Sequence, residues 1–160
     1  MPWSRARRLL AAALIPVLVL LLIRGWLVDS LTVSSDSMEP TIPAGSVVLV
    51  YKPAAADRIP AGAVVAFTSP VDRRKTIKRV VAGEGQTVAI RDAKLYVDGV
   101  AVPEPFIDHD RIDATYFGPE TVPAGSVFVL GDNRSVSIDS RDFGAVPLDA
   151  IQGIVLVGRK

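Results

Sequence analysis

The sequence contains no cysteine and only one histidine, and each scarcity excludes a class of site. Without cysteine there is no disulfide, no thiolate metal ligand, no lipid-modified cysteine and no cysteine nucleophile. A single histidine, His109, argues against a histidine-based metal site and against a Ser-His-Asp triad, and its neighbours Asp108, Asp110 and Arg111 favour a solvated side chain. The sequence therefore predicts no metal and no cofactor, and a nucleophilic serine would need a base other than histidine.

The chain also lacks an excess of either basic or acidic residues. The chain carries 18 basic and 17 acidic side chains among 160 residues, for a formal net charge of +1. The basic residues are scattered, apart from Arg5, Arg7 and Arg8 near the N-terminus. Because nucleic-acid binding needs a basic patch or stripe, we predict no nucleic-acid partner.

One long hydrophobic run, residues 9–28, stands near the N-terminus. At ~1.5 Å per residue an α-helix of this length spans ~30 Å, the thickness of the hydrocarbon core of a bilayer. A cleavable signal peptide has a similar pattern, but the apolar character resumes after Arg24 and no small-x-small cleavage signal precedes Asp29. We predict a transmembrane anchor over 9–28. The positive-inside rule then places residues 1–8 in the cytoplasm and residues 29–160 outside it, against the lipid bilayer.

The remainder of the chain consists of short β-branched runs separated by Gly and Pro. The predicted strands are residues 46–51, 63–68, 76–81, 87–90, 94–97, 100–102, 126–130 and 154–157. Asp98 and Gly99 separate two of these runs and predict a hairpin with a type I′ turn. Residues 104–120 lack periodicity and are predicted to form a long surface loop. The predicted fold class is mainly β, an antiparallel β-sheet domain with one N-terminal transmembrane helix.

The candidate nucleophile is Ser37, nine positions after Val28 in a serine-rich loop that contains Pro40 and Pro43. An extended chain covers at most ~3.3–3.6 Å per residue, so Ser37 would lie within ~30 Å of the membrane surface. Its candidate base is Lys78, because a buried lysine can lose its proton near neutral pH. On composition alone, a lysine on the solvent face of an amphipathic strand is the commoner case.

Four phrases of the sequence occur in a recognisable order behind the predicted anchor: SDSMEPT at 35–41, GSVVLV at 45–50, KRVV at 78–81, and a polar segment at 131–144 that begins GDNR and contains DSR. Together they resemble the type I signal peptidases (leader peptidases), which are membrane-bound Ser–Lys endopeptidases. The resemblance implies that the substrates are signal peptides of exported preproteins, cut after small residues at Ala-x-Ala-type sites. It also implies a location in the bacterial cytoplasmic membrane, and we expect a monomer.

The resemblance assigns roles to individual residues. Ser37 corresponds to the nucleophile and Lys78 to the general base. The Ser37 N–H and the Ser35 hydroxyl correspond to the oxyanion hole, and Ser137 to the residue that orients the lysine amine. The remaining matched positions are structural support at Arg79, Asp139 and Arg141, and walls of the substrate pocket at Met38 and Ile77.

Two alternatives remain open at this point. One is a specialised Ser–Lys processing protease that acts on a single pilus-like or conjugation substrate. The other is a membrane-tethered β domain that binds exported chains without cutting them. The presence of both Ser37 and Lys78 argues against the second, since a binding domain has no need of the pair. The self-cleaving SOS repressors share related chemistry, but they are soluble, which the predicted anchor argues against.

Overall fold

The computed structural model describes residues 10, 12–16, 27–52, 59–107 and 116–156. Within these ranges no helix is long and apolar enough to cross a membrane. Several predicted features lie outside the described residues: residues 9, 11 and 17–26 of the predicted anchor, the predicted cytoplasmic segment 1–8, and His109. The strands are β1 (Val28–Thr32), β2 (Val47–Tyr51), β3 (Val64–Thr68), β4 (Lys75–Gly83), β5 (Thr87–Arg91), β6 (Lys94–Val97), β7 (Val100–Ala101), β8 (Phe117–Thr121), β9 (Ser126–Leu130), β10 (Val146–Pro147) and β11 (Ile151–Leu156). Helix α1 (Ser140–Phe143) and a 3₁₀ turn (Leu148–Ala150) accompany them.

The strands form two antiparallel sheets. The larger sheet has the order β1-β2-β11-β3-β4-β9-β10, and the smaller has the order β7-β6-β5-β8. Every paired neighbour runs antiparallel. The prediction of a mainly β, antiparallel domain is confirmed.

The hairpin between β6 and β7 is also confirmed. Val97 pairs with Val100 across a two-residue turn. Asp98 and Gly99 both have positive φ, at 52° and 77°, as a type I′ turn requires.

Two predicted boundaries are wrong. Val28 is not the end of a helix but the first residue of β1, where it pairs with Tyr51. Residues 104–120 are not one surface loop, because Phe117 opens β8 and Glu104 is buried. The intervening residues 108–115 lie outside the described ranges.

The centre of the larger sheet is covered on both faces, which explains the continuous apolar run of β3. Val64 and Ala66 pack in one apolar cluster, and the alternate residues Val65 and Phe67 pack in another. The first cluster is hereafter the front cluster and comprises Val33, Met38, Ile42, Val48, Val50, Val64, Ala66, Ile77 and Val155. Its members include residues of the loop between β1 and β2, which therefore packs on the sheet beside β4.

Candidate active site

Ser37 lies in the loop between β1 and β2 and is buried. A turn holds the loop, since Glu39 N–H donates to the Asp36 carbonyl at 3.0 Å and Ile42 N–H donates to the Met38 carbonyl at 2.9 Å. From the other side, Asn133 N–H donates to the Ser37 carbonyl at 3.0 Å. The backbone of Ser37 is thus fixed between its own turn and the chain segment that follows β9.

Lys78 lies on β4, where it pairs with Val65 of β3, and its side chain is only 3% exposed. Its Nζ lies 2.6 Å from Ser37 Oγ, across 41 positions of sequence. The alternative of a lysine on a solvent-facing strand is wrong, because both faces of the sheet are covered here. The structure brings together the two side chains that the sequence singled out.

Burial lowers the pKa of the Lys78 amine below its ordinary value of 10.5. The carboxylates of Asp139 and Asp132 act in the opposite direction, and the Arg141 guanidinium lowers the pKa further. Desolvation dominates because the charged form of a buried amine loses its hydration. A neutral amine can accept a proton from a hydroxyl at hydrogen-bond distance, as a general base must.

Ser35 is exposed, and its Oγ lies 3.1 Å from Ser37 Oγ. The Ser37 N–H donates to no acceptor among the described residues. The Ser35 hydroxyl thus lies beside the Ser37 oxygen, and the oxyanion hole formed by this hydroxyl and the Ser37 N–H stays a prediction.

Ser137 comes close to Ser37 but is not bonded to Lys78. Its hydroxyl is buried and has no hydrogen-bond partner among the described residues. The point of closest approach is Gly131, where an added Cβ would lie 2.2 Å from Ser137 Oγ and 2.6 Å from the Ser37 carbonyl oxygen. Gly131 is therefore the position at which the two serine segments and the end of β9 meet, and only a residue without a side chain fits there.

We expect Gly131→Ala to disrupt the site. The added methyl group would overlap with Ser137 and with the Ser37 backbone, and overpacking of this kind costs about 1–3 kcal/mol. Urea unfolding should register that loss in the free energy of unfolding. Gly83→Ala is the matched control, because its Cβ would meet only Gln86 Oε1 at 3.9 Å, an ordinary contact. An unchanged stability of Gly131→Ala would show that the loop can move aside.

The three residues predicted as structural support form two separate ion pairs. Arg141 binds Asp139 through Nε at 2.8 Å and Nη2 at 3.0 Å. Arg79 instead binds Asp132, through Nε at 2.8 Å and Nη2 at 2.6 Å, so it does not belong to the Asp139 pair. These carboxylates are engaged by arginine. Within the described ranges no three His, Cys, Asp or Glu side chains are grouped so as to hold a metal ion.

A groove of about 360 Å³ opens at Ser37 and Lys78. Ile77 and Val33 contribute apolar walls to it, while both also belong to the front cluster. Met38, the other predicted pocket residue, is fully buried in that cluster and is not among the residues that line the groove.

Three residues that the structure places at this site have no role predicted from the sequence. Gly131 forms the steric contact described above, and Glu104 and Arg134 form a buried ion pair beside it. Gly131 and Arg134 belong to the GDNR segment, which is one of the four that carry the family resemblance. The sequence could therefore have indicated that they lie near Ser37. Glu104 carries no such signal, because it lies in a stretch without a recognisable pattern.

The chain is similar to several known proteins. The family described as signal peptidase, peptidase S26 matches residues 6–157. Signal peptidase I of Bacillus licheniformis is 35% identical over 140 residues, covering 82% of this chain and 75% of that protein. Signal peptidase I T of Bacillus subtilis (strain 168) is 34% identical over 152 residues, covering 89% and 79%. A crystal structure of a signal peptidase I from Enterococcus faecalis V583 is 30% identical with a TM-score of 0.55, covering 62% of this chain and 98% of that one. The resemblance inferred from the motifs is thereby confirmed, and the chain belongs to the signal peptidase, peptidase S26 family.

Proposed function

We propose that this protein is a membrane-bound serine endopeptidase that removes signal peptides from exported preproteins through a Ser37–Lys78 dyad. Membership of the family makes it a signal peptidase, a hydrolase that acts on exported preproteins. The observation that carries the dyad is the 2.6 Å contact between Lys78 Nζ and Ser37 Oγ inside a buried site. The chain has no cysteine that could serve as a rival nucleophile, and His109 is its one histidine.

In the acylation step, Ser37 Oγ attacks the carbonyl carbon of the scissile bond while neutral Lys78 takes the hydroxyl proton. The negative charge that develops on the substrate oxygen is stabilised by hydrogen bonds that the Ser37 N–H and the Ser35 hydroxyl donate to it. Collapse of the tetrahedral intermediate breaks the C–N bond, and the Lys78 ammonium gives its proton to the leaving amine. The signal peptide is then joined to Ser37 as an ester, and Lys78 is neutral again.

In the deacylation step, Lys78 takes a proton from a water molecule as that water attacks the ester carbonyl. The proton is returned to Ser37 Oγ when the ester bond breaks, which frees the signal peptide with a carboxyl terminus. The low exposure of Lys78 supports both steps, because desolvation lowers the pKa of the amine and so favours its neutral form.

The groove supports a preference for small residues at the cleavage site. Val33 and Ile77 are 5% and 4% exposed, so each offers only a narrow apolar surface to a substrate side chain. An alanine methyl group can cover such a surface, whereas most of a large side chain would find no apolar contact there. This supports Ala-x-Ala-type sites as substrates.

The hydrophobic run supports a location in the bacterial cytoplasmic membrane, with a single pass and the catalytic domain outside. Residues 9–27 are followed directly by β1, which begins at Val28. A five-residue strand rises ~17 Å, so β1 would lead the chain from the bilayer surface to the loop of Ser37. A signal peptide spans the same bilayer, and its cleavage site would therefore meet the groove. Bilayer lipid and preproteins are the partners that this arrangement requires, with the enzyme as a monomer.

The proposal is tested by cleavage of a preprotein with an Ala-x-Ala site, compared with the same preprotein in which both alanines are replaced by leucine. We expect the full chain in lipid vesicles to release the mature protein from the first substrate and to cut the second at least about 100-fold more slowly, since the apolar walls at Val33 and Ile77 offer a large side chain little contact. Sequencing of the product N-terminus identifies the bond that is cut. Equal cleavage of both substrates would contradict the assigned specificity, and cleavage of neither would contradict the function.

A further inference from the structure

A buried ion pair outside the dyad lies against the active-site loop. Glu104 and Arg134 are 7% and 5% exposed, and Arg134 Nη2 lies 2.5 Å from Glu104 Oε1. Glu104 follows β7 of the smaller sheet, whereas Arg134 follows β9 of the larger one. A buried ion pair contributes little net stability compared with apolar packing. The contacts of this pair, rather than its energy, therefore indicate its role.

The contacts of Arg134 lead to the backbone of Gly131. Arg134 Nε donates to the Gly131 carbonyl at 3.0 Å, and the Gly131 N–H donates to Asp139 Oδ2 at 2.9 Å. Both polar groups of the Gly131 backbone are thus held by buried charged side chains. The Gly131 backbone lies next to the Ser37 carbonyl oxygen and to Ser137, since an added Cβ at Gly131 would overlap with both. Two residues further on, Asn133 N–H donates to the Ser37 carbonyl at 3.0 Å, so a shift of this segment at Gly131 is passed on to Ser37.

A single hydrogen bond joins the side chains of Glu104 and Arg134. Arg134 Nη1 and Glu104 Oε2 are buried and have no partner among the described residues. The Nη2–Oε1 bond is therefore the contact through which Glu104 fixes the orientation of the guanidinium. Loss of this one bond leaves Arg134 free to turn away from the Gly131 carbonyl.

We propose that Glu104 and Arg134 are positioning residues of the peptidase reaction: Glu104 orients Arg134, and Arg134 holds Gly131 so that Ser37 stays aligned with Lys78. This inference rests on the proposed function of the dyad. It connects the smaller sheet to the chemistry of the larger one, through residues that touch neither the substrate nor the reacting atoms.

The test uses two conservative variants of the full chain. Glu104→Gln removes the negative charge at nearly constant shape, and Arg134→Lys keeps the positive charge but lacks the Nε donor. We expect each to lower kcat by about 10-fold to 100-fold with KM changed less than about threefold, because misalignment affects chemistry more than binding. The double variant should be no slower than Arg134→Lys, because Glu104 acts through Arg134. Glu84→Gln and Arg91→Lys are exposed controls that should retain the wild-type kcat.

A readout that needs no cleavage separates this inference from the proposed function. With ¹³C-labelled lysine, the Lys78 signal is assigned by its absence in Lys78→Met, and its pKa is measured by titration. We expect the pKa to move toward its ordinary value in both positioning variants, because a loosened loop admits water to the amine. A wild-type protein that cuts no preprotein would contradict the function, and the titration would still test the positioning.

Three results would overturn the inference: a Lys78 titration that stays at its wild-type position, rate losses that add in the double variant, or a change confined to KM. If Arg134→Lys does not fold, Glu104→Gln decides by the same criteria. If both fail to fold while the two controls fold, the pair serves stability alone and the inference is wrong.

Discussion

Ser37→Ala is expected to abolish cleavage of a preprotein while leaving the fold intact. The substitution removes the only oxygen placed 2.6 Å from Lys78 Nζ in the described part of the chain, and no acyl-enzyme can form without it. Loss of a catalytic nucleophile lowers kcat by about 10⁴-fold or more. Initial rates of cleavage at neutral pH, measured at saturating preprotein, provide the comparison.

The matched control for this variant is Ser30→Ala. Ser30 lies on β1 and is exposed. Its hydrogen bond to Asp29 Oδ1 is donated by the backbone N–H and not by the hydroxyl, so the hydroxyl can be removed without losing that bond. We expect its rate to equal that of the wild type within about twofold. A Ser37→Ala protein that cuts as fast as Ser30→Ala would show that another group performs the attack.

Lys78→Met is expected to be inactive and, at neutral pH and below, more stable than the wild type. Removal of a general base lowers the rate by about 10²–10⁴-fold. The gain in stability has a separate cause: burial lowers the pKa of Lys78 below 10.5, so a proton on this amine is held less tightly in the folded state than in the unfolded state. Methionine has a similar length and carries no charge to desolvate.

The pH dependence of this stability gain has a definite sign. Between the folded-state pKa of Lys78 and 10.5, the unfolded wild-type protein binds more protons than the folded one, so its free energy of unfolding rises with pH. The methionine variant lacks this rise. Its advantage over the wild type should be largest below the folded-state pKa and should shrink as the pH approaches 10.5. Urea unfolding at a series of pH values measures the difference.

Lys94→Met is the control for the stability measurement. Lys94 lies on β6 with an exposed side chain, so its replacement removes no desolvation cost. We expect no pH-dependent difference between this variant and the wild type. A stability gain of Lys78→Met that stays constant or grows with pH would contradict the lowered pKa of the buried Lys78 amine.

Much of the fold could be predicted from local patterns, and the exceptions have physical reasons. β3 and β9 are continuous apolar runs because the clusters on both faces of the sheet cover them. β8 was missed because Gly118 and Pro119 are poor strand formers. Its place at the edge of the smaller sheet tolerates a proline, and an added Cβ at Gly118 would lie 2.4 Å from the Val88 carbonyl oxygen. β1 was missed because its first residue, Val28, continues a hydrophobic run, and an apolar β-branched residue suits a strand as well as a membrane helix.

The candidate site was predictable where short motifs carry the chemistry and unpredictable where long-range packing does. Ser37 and Lys78 were singled out by residue type and by resemblance, and the structure brings their side chains together. The depth of burial of Lys78 could not be read from its own strand, because it depends on the loop that covers β4. The pairing of Glu104 with Arg134 joins two sheets over 30 positions, and no local pattern encodes such a contact.

The central claim is that Ser37 carries the signal peptide as an ester during turnover. The direct measurement mixes wild-type protein with a preprotein that has an Ala-x-Ala site, quenches the reaction in acid within the first turnover, and identifies the modified peptide by mass spectrometry. We predict an adduct with the mass of the signal peptide less one water, located on Ser37 and absent from Ser37→Ala. An adduct on any other residue, or cleavage by Ser37→Ala at the wild-type rate, would contradict the account.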